Sequence, residues 1–146
     1  MKKFLLGFIC IFLLGSCIQN NDSKCNCPNL PNNTVALTTK YISVYPTDWC
    51  EYDQPLERYA YATFELDDIT KTVIDYGAVM AYFIGATDNP LPYVFPVENE
   101  VNDTIIHNFR FDLEERAITF ILESSDMEIY IPQETLQFKV SIFYPN

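Results

Sequence analysis

Few residues of this 146-residue chain could carry out catalysis. It has one histidine, His107, and four glycines, with no Gly-x-Ser-x-Gly elbow and no glycine-rich loop that could hold a phosphate. On alternating strand positions His107 shares a face with Ile105, Phe109 and Phe111. A histidine on an apolar face is usually a hydrogen-bonded core residue. We therefore expect a protein that is not an enzyme and needs no cofactor.

Clustered carboxylates are the remaining candidates for catalysis or metal binding. Asp67 with Asp68, or Glu98 with Glu100 and Asp103, could act together in glycoside hydrolysis, so a small carbohydrate-active hydrolase stays as an alternative. The group Glu98, Glu100 and Asp103 could instead bind calcium, although the chain has no Asp-x-Asp-x-Asp-Gly loop. Solvated loop acids are the simpler interpretation.

Four aromatic residues form the best candidate binding site. Trp49 and Tyr52 belong to a predicted loop over residues 47–57, and Tyr59 and Tyr61 lie on the solvent-facing side of the strand that follows. Flat rings stack on sugar rings, so this group could form an exposed glycan-binding surface. The preferred interpretation is that a loop or a neighbouring strand covers the rings and that they stabilise the sheet.

Cysteine spacing predicts one disulfide in an exported protein. Cys25 and Cys27 are too close to favour bridging each other, so a bond from one of them to Cys50 is expected, with one thiol left over. Zinc is the alternative, but these cysteines and a distant His107 make a poor tetrahedral set.

The start of the chain has the parts of a secretory signal in order. Lys2 and Lys3 precede an apolar run over residues 4–14, which is shorter than the roughly 20 residues of a membrane-spanning helix. The sequence Leu-Leu-Gly-Ser before Cys17 resembles the lipobox of bacterial lipoproteins. This resemblance implies cleavage after residue 16, acylation of Cys17 by palmitate or a similar chain, and a lipid anchor in the outer membrane, facing either the periplasm or the cell surface. An ordinary signal peptide with an incidental cysteine is the alternative.

Charge limits the partners. The formal net charge is −11, and removal of a signal that contains Lys2 and Lys3 would make it more negative. Nucleic acids and anionic headgroups need clustered Lys and Arg, so we expect neither as a ligand. The expected partners are the membrane, through the lipid, and a glycan or an envelope protein.

The elements that must position these residues follow from local patterns. Residues 17–33 are rich in Asn and Pro and are expected to form a lipidated, flexible tether, so the folded domain would cover residues 34–146. Alternating or branched residues predict strands over residues 35–45, 59–66, 78–84, 93–97, 104–113, 116–123 and 136–144. Residues 104–113 and 116–123 should pair as a hairpin. The apolar segment 78–84 should be buried on both faces, and Pro96 should place its strand at an edge.

One helix is predicted over residues 68–77. Thr70 is suited to the N-cap, Ile69 and Ile74 occupy the positions of a hydrophobic staple, and Gly77 would end the helix in the left-handed conformation. Seven or eight short strands with this one helix indicate an all-β protein, an antiparallel β-sandwich of immunoglobulin-like or jelly-roll type.

Two sequence patterns also resemble known bacterial features. The stretch from Ile69 through Val79, with Tyr82 and the Leu-Pro-Tyr that ends at Tyr93, resembles a pattern shared by small lipoproteins of Bacteroidota-type bacteria, in families of unknown function. The resemblance implies a small exported β-sandwich and assigns no catalytic residue. Asp103 and Thr104, followed by an apolar residue, resemble the sites that such bacteria O-glycosylate, which marks Thr104 as a candidate; a chance match is the alternative.

Together these observations predict a non-enzymatic, membrane-anchored module that binds a ligand or interacts with the cell envelope. A surface glycan-binding protein and a small hydrolase are the alternatives.

Overall fold

The structure is a computed structural model that describes residues 35–98 and 103–145. Within these ranges, nine strands form two antiparallel sheets that pack face to face. The same ranges also contain one short helix. The strands are β1 (Val35–Val44), β2 (Cys50–Gln54), β3 (Glu57–Glu65), β4 (Ala78–Ile84), β5 (Asp88–Pro90), β6 (Tyr93–Glu98), β7 (Thr104–Glu114), β8 (Ala117–Ser124) and β9 (Leu136–Pro145). The prediction of an all-β antiparallel sandwich with one short helix is confirmed.

The first and last strands pair with each other in the four-stranded sheet. One sheet has the order β1-β9-β4-β5 and the other the order β2-β3-β8-β7-β6. Strands β1 and β9 pair over their full length, from Val35 opposite Pro145 to Val44 opposite Leu136. Strand β9 therefore lies inside its sheet, between β1 and β4.

The core lies between the inner faces of the two sheets. Phe120 of β8 and Phe138 of β9 are both fully buried, and their rings stack with centroids 4.1 Å apart. Alternate residues of the same strands, such as Ile118, Val140 and Ile142, are also fully buried. Buried residues therefore recur at every second position of these strands, as the sequence pattern predicted.

The predicted hairpin and edge strand are confirmed. Phe111 of β7 lies opposite Phe120 of β8, and Leu113 lies opposite Ile118, with a turn that includes Arg116 at a φ of 65°. Strand β6, which contains Pro96, is the edge of the five-stranded sheet. An edge position leaves one side of the strand unpaired and so tolerates the missing N–H of proline.

Two strands lie where loops were predicted. Strand β2 falls within the expected loop 47–57 and pairs with β3, and the short β5 falls in the connection between the predicted strands 78–84 and 93–97 and pairs with β4. Neither strand has a buried residue. A hydrophobic pattern cannot reveal a strand that contributes nothing to the core, which is why the loop predictions were wrong.

Strand β4 is buried on one face only, which corrects the prediction for residues 78–84. Ala81 is buried, whereas Met80 leaves 44 % of its surface exposed. The opposing sheet covers only the inner face, so an apolar outer face remains in contact with solvent.

The helix α1 (Lys71–Tyr76) begins as predicted but ends differently. The hydroxyl of the N-cap Thr70 accepts a hydrogen bond from the backbone N–H of Val73 at 3.3 Å. Val73 is the helix residue that enters the core, while Ile69 is fully buried and Ile74 is 45 % exposed. Among the described residues no helix is long and apolar enough to cross a membrane.

Gly77 ends the helix for a reason other than the predicted left-handed conformation. Its φ of −98° and ψ of −157° are extended, so the prediction was wrong. A Cβ at this position would lie 2.8 Å from the carbonyl oxygen of Val73 and closer still to that of Phe143. Glycine is needed because the helix end passes directly against the backbone of β9.

We expect Gly77→Ala to destabilise the fold by about 2 kcal/mol, because the new methyl group meets two backbone carbonyls that cannot rotate away. Gly85→Ala is the matched control. A Cβ there would lie 3.4 Å from the Phe83 side chain, an ordinary contact. Urea unfolding of both variants checks the prediction, and equal stabilities would contradict it.

Candidate functional site

Three of the four predicted aromatic residues lie on the outer face of the five-stranded sheet. Tyr52 comes from β2, and Tyr59 and Tyr61 come from β3. The alternate residues Ala60 and Ala62 point inward and are buried. This alternation turns Tyr59 and Tyr61 away from the core, as the sequence predicted, and Tyr52, which was expected in a loop, lies opposite Tyr59 on the same face.

The tyrosine rings form one continuous row. Tyr52 pairs with Tyr59 across the strands, and their rings stack with centroids 4.7 Å apart and planes 11° apart. Tyr59 meets Tyr61 edge to face, at 6.2 Å and 74°. All three side chains are partly exposed. The row therefore offers ring surface to solvent in a fixed arrangement.

A groove of about 310 Å³ runs beside this row, and its other wall is acidic. Asp112 and Glu114 of β7 form that wall. The floor contains Thr63 and Thr119, whose Oγ1 atoms lie 2.9 Å apart, and the buried Ile121. We call this site the tyrosine groove; it combines flat rings, hydroxyl groups and carboxylates.

Arg110 holds the two walls in place. Its guanidinium carbon lies 5.7 Å from the centre of the Tyr59 ring, its Nε donates to Glu123 at 2.7 Å, and its Nη1 donates to Asp112 at 2.8 Å. Partial burial acts to lower the pKa of Arg110, but the bonds to Glu123 and Asp112 outweigh burial and raise it. Arg110 thus stays charged and fixes Asp112 relative to the tyrosines.

The phenol group of Tyr59 remains neutral. Burial raises the pKa of Tyr59, and the nearby Glu57 and Tyr52 raise it further. A neutral phenol can both donate and accept a hydrogen bond. The row can therefore stack on a ligand and bond to its hydroxyl groups.

Trp49 does not belong to this site, which corrects the prediction. Only 7 % of its surface is exposed, and its ring lies 6.4 Å from that of Phe109 in the core. It follows a 3₁₀ turn over Pro46–Asp48, which is held by a hydrogen bond from the backbone N–H of Tyr45 to Asp48 at 2.8 Å. The direction in which a residue leaves such a turn depends on tertiary packing, so the loop pattern could not reveal it.

The acidic pair Asp67 and Asp68 is divided between two cations. Asp67 accepts hydrogen bonds from Arg116, and Asp68 forms an ion pair with Lys40 at 2.8 Å. Each carboxylate is neutralised separately, so the two do not form a catalytic pair.

The proposed metal group is not assembled in the described ranges. Glu98 and Asp103 are exposed at the end of β6 and just before β7, and Glu100 lies outside these ranges. Among residues 35–98 and 103–145, no three potential ligands are arranged to hold a metal ion.

The covalent modifications stay predictions. Cys50 is exposed at the start of β2 and forms no disulfide with a residue of the described ranges, and Thr104 is exposed at the start of β7. Cys17, Cys25 and Cys27 lie outside the described residues, as do the signal and most of the tether.

His107 is a core residue, as predicted. It is 7 % exposed and lies edge to face with Phe95 at 5.6 Å and beside Tyr130 at 4.8 Å. The expected hydrogen bond is missing at one atom, because its Nε2 has no partner among the described residues. Burial lowers the pKa of the imidazole, and Asp126 opposes this shift.

Sequence reasoning missed the acidic wall and the floor of the groove. Asp112 and Glu114 occupy alternate positions of β7, opposite Thr119 and Ala117 of β8. Only the register of β7 on β8, and of β8 on β3, brings them near the tyrosines. The alternation of β7 was the available signal, but its polar positions were not followed across the sheet.

Comparisons with protein families, with curated proteins and with solved structures find no match to this chain. Its function is therefore inferred from the geometry of its own residues.

Because the chain has one histidine, the contribution of His107 to the pH dependence of folding can be separated from that of the carboxylates. Because the pKa of His107 is lower in the folded state, its contribution is complete above the unfolded value of about 6.5 and is lost as the pH falls. Most carboxylates titrate below about pH 5. We expect the urea midpoint to fall between about pH 6.5 and 5, and His107→Phe to remove that fall. A midpoint that is constant for the native chain would contradict the buried, neutral imidazole.

Proposed function

We propose that this chain is a non-enzymatic, lipid-anchored binding module of the outer membrane and that the tyrosine groove binds an uncharged sugar chain. The observation that carries the proposal is the meeting of three tyrosines, two threonines and two carboxylates along one solvent-facing groove. Aromatic rings pack on the apolar C–H faces of sugars. Carboxylates accept hydrogen bonds from sugar hydroxyl groups, and threonine hydroxyls can donate or accept.

Preorganisation supports binding at this site. The stack of Tyr52 on Tyr59 and the bonds from Arg110 to Asp112 fix both walls before a ligand arrives. A site whose side chains are already ordered loses less conformational entropy on binding. The groove of about 310 Å³ is at the small end of typical ligand sites, which suits a few sugar units.

Charge favours a neutral glycan over an acidic one. Asp112 and Glu114 line the groove, and the whole chain has a net charge of −11. A glycan that carries carboxylate or sulfate groups would be repelled.

The placement of the two carboxylates supports binding over hydrolysis. Glycosidases need carboxyl groups that flank the scissile bond. Asp112 and Glu114 lie on the same wall, on alternate positions of one strand, and Arg110 already pairs with Asp112. A glycosidase needs an acid and a nucleophile on opposite sides of the sugar. Two carboxylates on one wall, one of them paired with Arg110, do not provide this arrangement.

We expect Tyr61→Ala to weaken retention on a neutral polysaccharide up to about tenfold, because a stacked ring contributes about 0.5–1.5 kcal/mol. Tyr61 is the residue to substitute because the rings of Tyr52 and Tyr59 stack on each other, so removing either ring would also disturb the other. Tyr41→Ala is the matched control, since Tyr41 is 70 % exposed on the other sheet. Affinity electrophoresis against a panel of neutral polysaccharides makes the measurement. Equal retention of both variants would contradict the assignment of the tyrosine groove as the glycan-binding site.

The lipid anchor rests on the sequence before the domain. The basic start, the apolar run of residues 4–14 and Cys17 in lipobox spacing support acylation at that cysteine. Similarity to small lipoproteins of unknown function is part of the same proposal.

We expect cells fed an alkyne-tagged fatty acid to label the native protein and Cys50→Ala, but not Cys17→Ala, because Cys50 belongs to the folded domain and Cys17 would carry the acyl chain. Label retained in Cys17→Ala would contradict the anchor. Protease treatment of intact cells would then distinguish the cell surface from the periplasm.

A further inference from the structure

A second cavity, distinct from the tyrosine groove, lies on the inner side of the five-stranded sheet. It has a volume of about 410 Å³ and is lined by residues of both sheets and of the segment that joins β8 to β9. We call it the interior cavity, although it is open to solvent; its lining residues include Phe83, Phe95, His107, Phe109, Tyr130 and Leu136. Strand β7 separates the two sites, because Phe109 points inward and Arg110 points outward.

The rings of the interior cavity are layered. Phe109 stacks with Phe83 at 5.2 Å and 28°, and with Phe95 at 5.6 Å and 27°. These rings are already in contact with one another, so together they form a continuous aromatic lining. An aromatic lining suits an apolar aromatic ligand, which can meet it by offset stacking or edge to face.

One polar atom in the wall lacks a partner. His107 lines the cavity and is 93 % buried by its surface exposure of 7 %, yet its Nε2 makes no hydrogen bond among the described residues. A buried nitrogen without a partner has lost its hydrogen bonds to water and destabilises the fold. A ligand that supplies the missing bond would offset that loss.

The charges around the cavity disfavour anions as ligands. None of the described residues that line it has a full charge when the imidazole is neutral, and burial lowers the pKa of that imidazole. The nearest carboxylate, Asp126, accepts a hydrogen bond from the Tyr130 hydroxyl at 2.7 Å. An anionic ligand would meet apolar rings and a negative neighbour, with no cation to pair with.

We propose that the interior cavity binds an uncharged aromatic molecule that carries a hydroxyl group, with its ring against the aromatic lining of the cavity and its hydroxyl group bonded to Nε2 of His107. A hydroxyl group serves either tautomer of the imidazole because it can donate or accept. Nε2 is buried and the ring of Tyr130 lies 4.8 Å from that of His107, so the hydroxyl group reaches Nε2 when Tyr130 is displaced.

The test uses the purified full chain and three matched probes: 2-naphthol, naphthalene and 2-naphthoate. Calorimetry should show that 2-naphthol binds about tenfold more tightly than naphthalene, and that 2-naphthoate binds most weakly. Because the chain has one histidine, ¹⁵N–¹H spectra of the imidazole report on His107 alone. We expect 2-naphthol, and not naphthalene, to shift the Nε2 resonance.

Variants separate this site from the tyrosine groove. His107→Phe should bind 2-naphthol only as tightly as naphthalene, whereas Tyr61→Ala should leave 2-naphthol binding unchanged. Absence of binding, equal affinities for the three probes, or an unchanged Nε2 resonance in the native chain would each overturn the proposal. The native-chain measurements decide it even where His107→Phe fails to fold.

Discussion

The sandwich depends on the stack of Phe120 on Phe138. The two rings belong to different sheets, are fully buried and lie 4.1 Å apart at an angle of 17°. Full burial of such a side chain contributes about 1.5–3 kcal/mol, and a close ring stack adds to it. Phe138 also meets Phe83 and Phe109 within 5.8 Å. Because β9 pairs with both β1 and β4, this contact sets the position of three strands of one sheet against the other.

Under that constraint, β3, β7 and β8 of the five-stranded sheet each contribute side chains both to the core and to the outer face. The inner side chains continue the aromatic core from Phe109 through Phe95 to His107 and form the interior cavity. The outer side chains of the same strands, such as Tyr61 and Asp112, form the tyrosine groove. The core packing that stabilises the fold therefore also fixes the spacing of the groove walls. An outward substitution can change binding without removing a core contact, whereas an inward one affects both stability and the cavity.

The sequence predicted the features that strand alternation determines. It missed the features that depend on tertiary contacts. The inward faces of β3, β8 and β9 followed from the period of two, and the outward tyrosines followed with them. Trp49 could not be placed, because a short turn rather than a strand aims it into the core. Gly77 was predicted for its left-handed freedom, yet it is required by the backbone of β9, a segment far away in sequence. The acidic wall needed the register of three strands, which no local pattern supplies.

The distribution of charge disfavours anionic ligands at both candidate sites. Every lysine and arginine in the described residues has a carboxylate partner: Lys40, Arg58, Lys71, Arg110, Arg116 and Lys139. Exposed pairs of this kind add little stability, but they leave no unpaired cation on the described surface. An anionic ligand would have to displace a carboxylate before it could bind a cation, and it would approach a strongly acidic chain to do so. Stacking and hydrogen bonds to uncharged groups are the interactions that these surfaces offer to a neutral ligand.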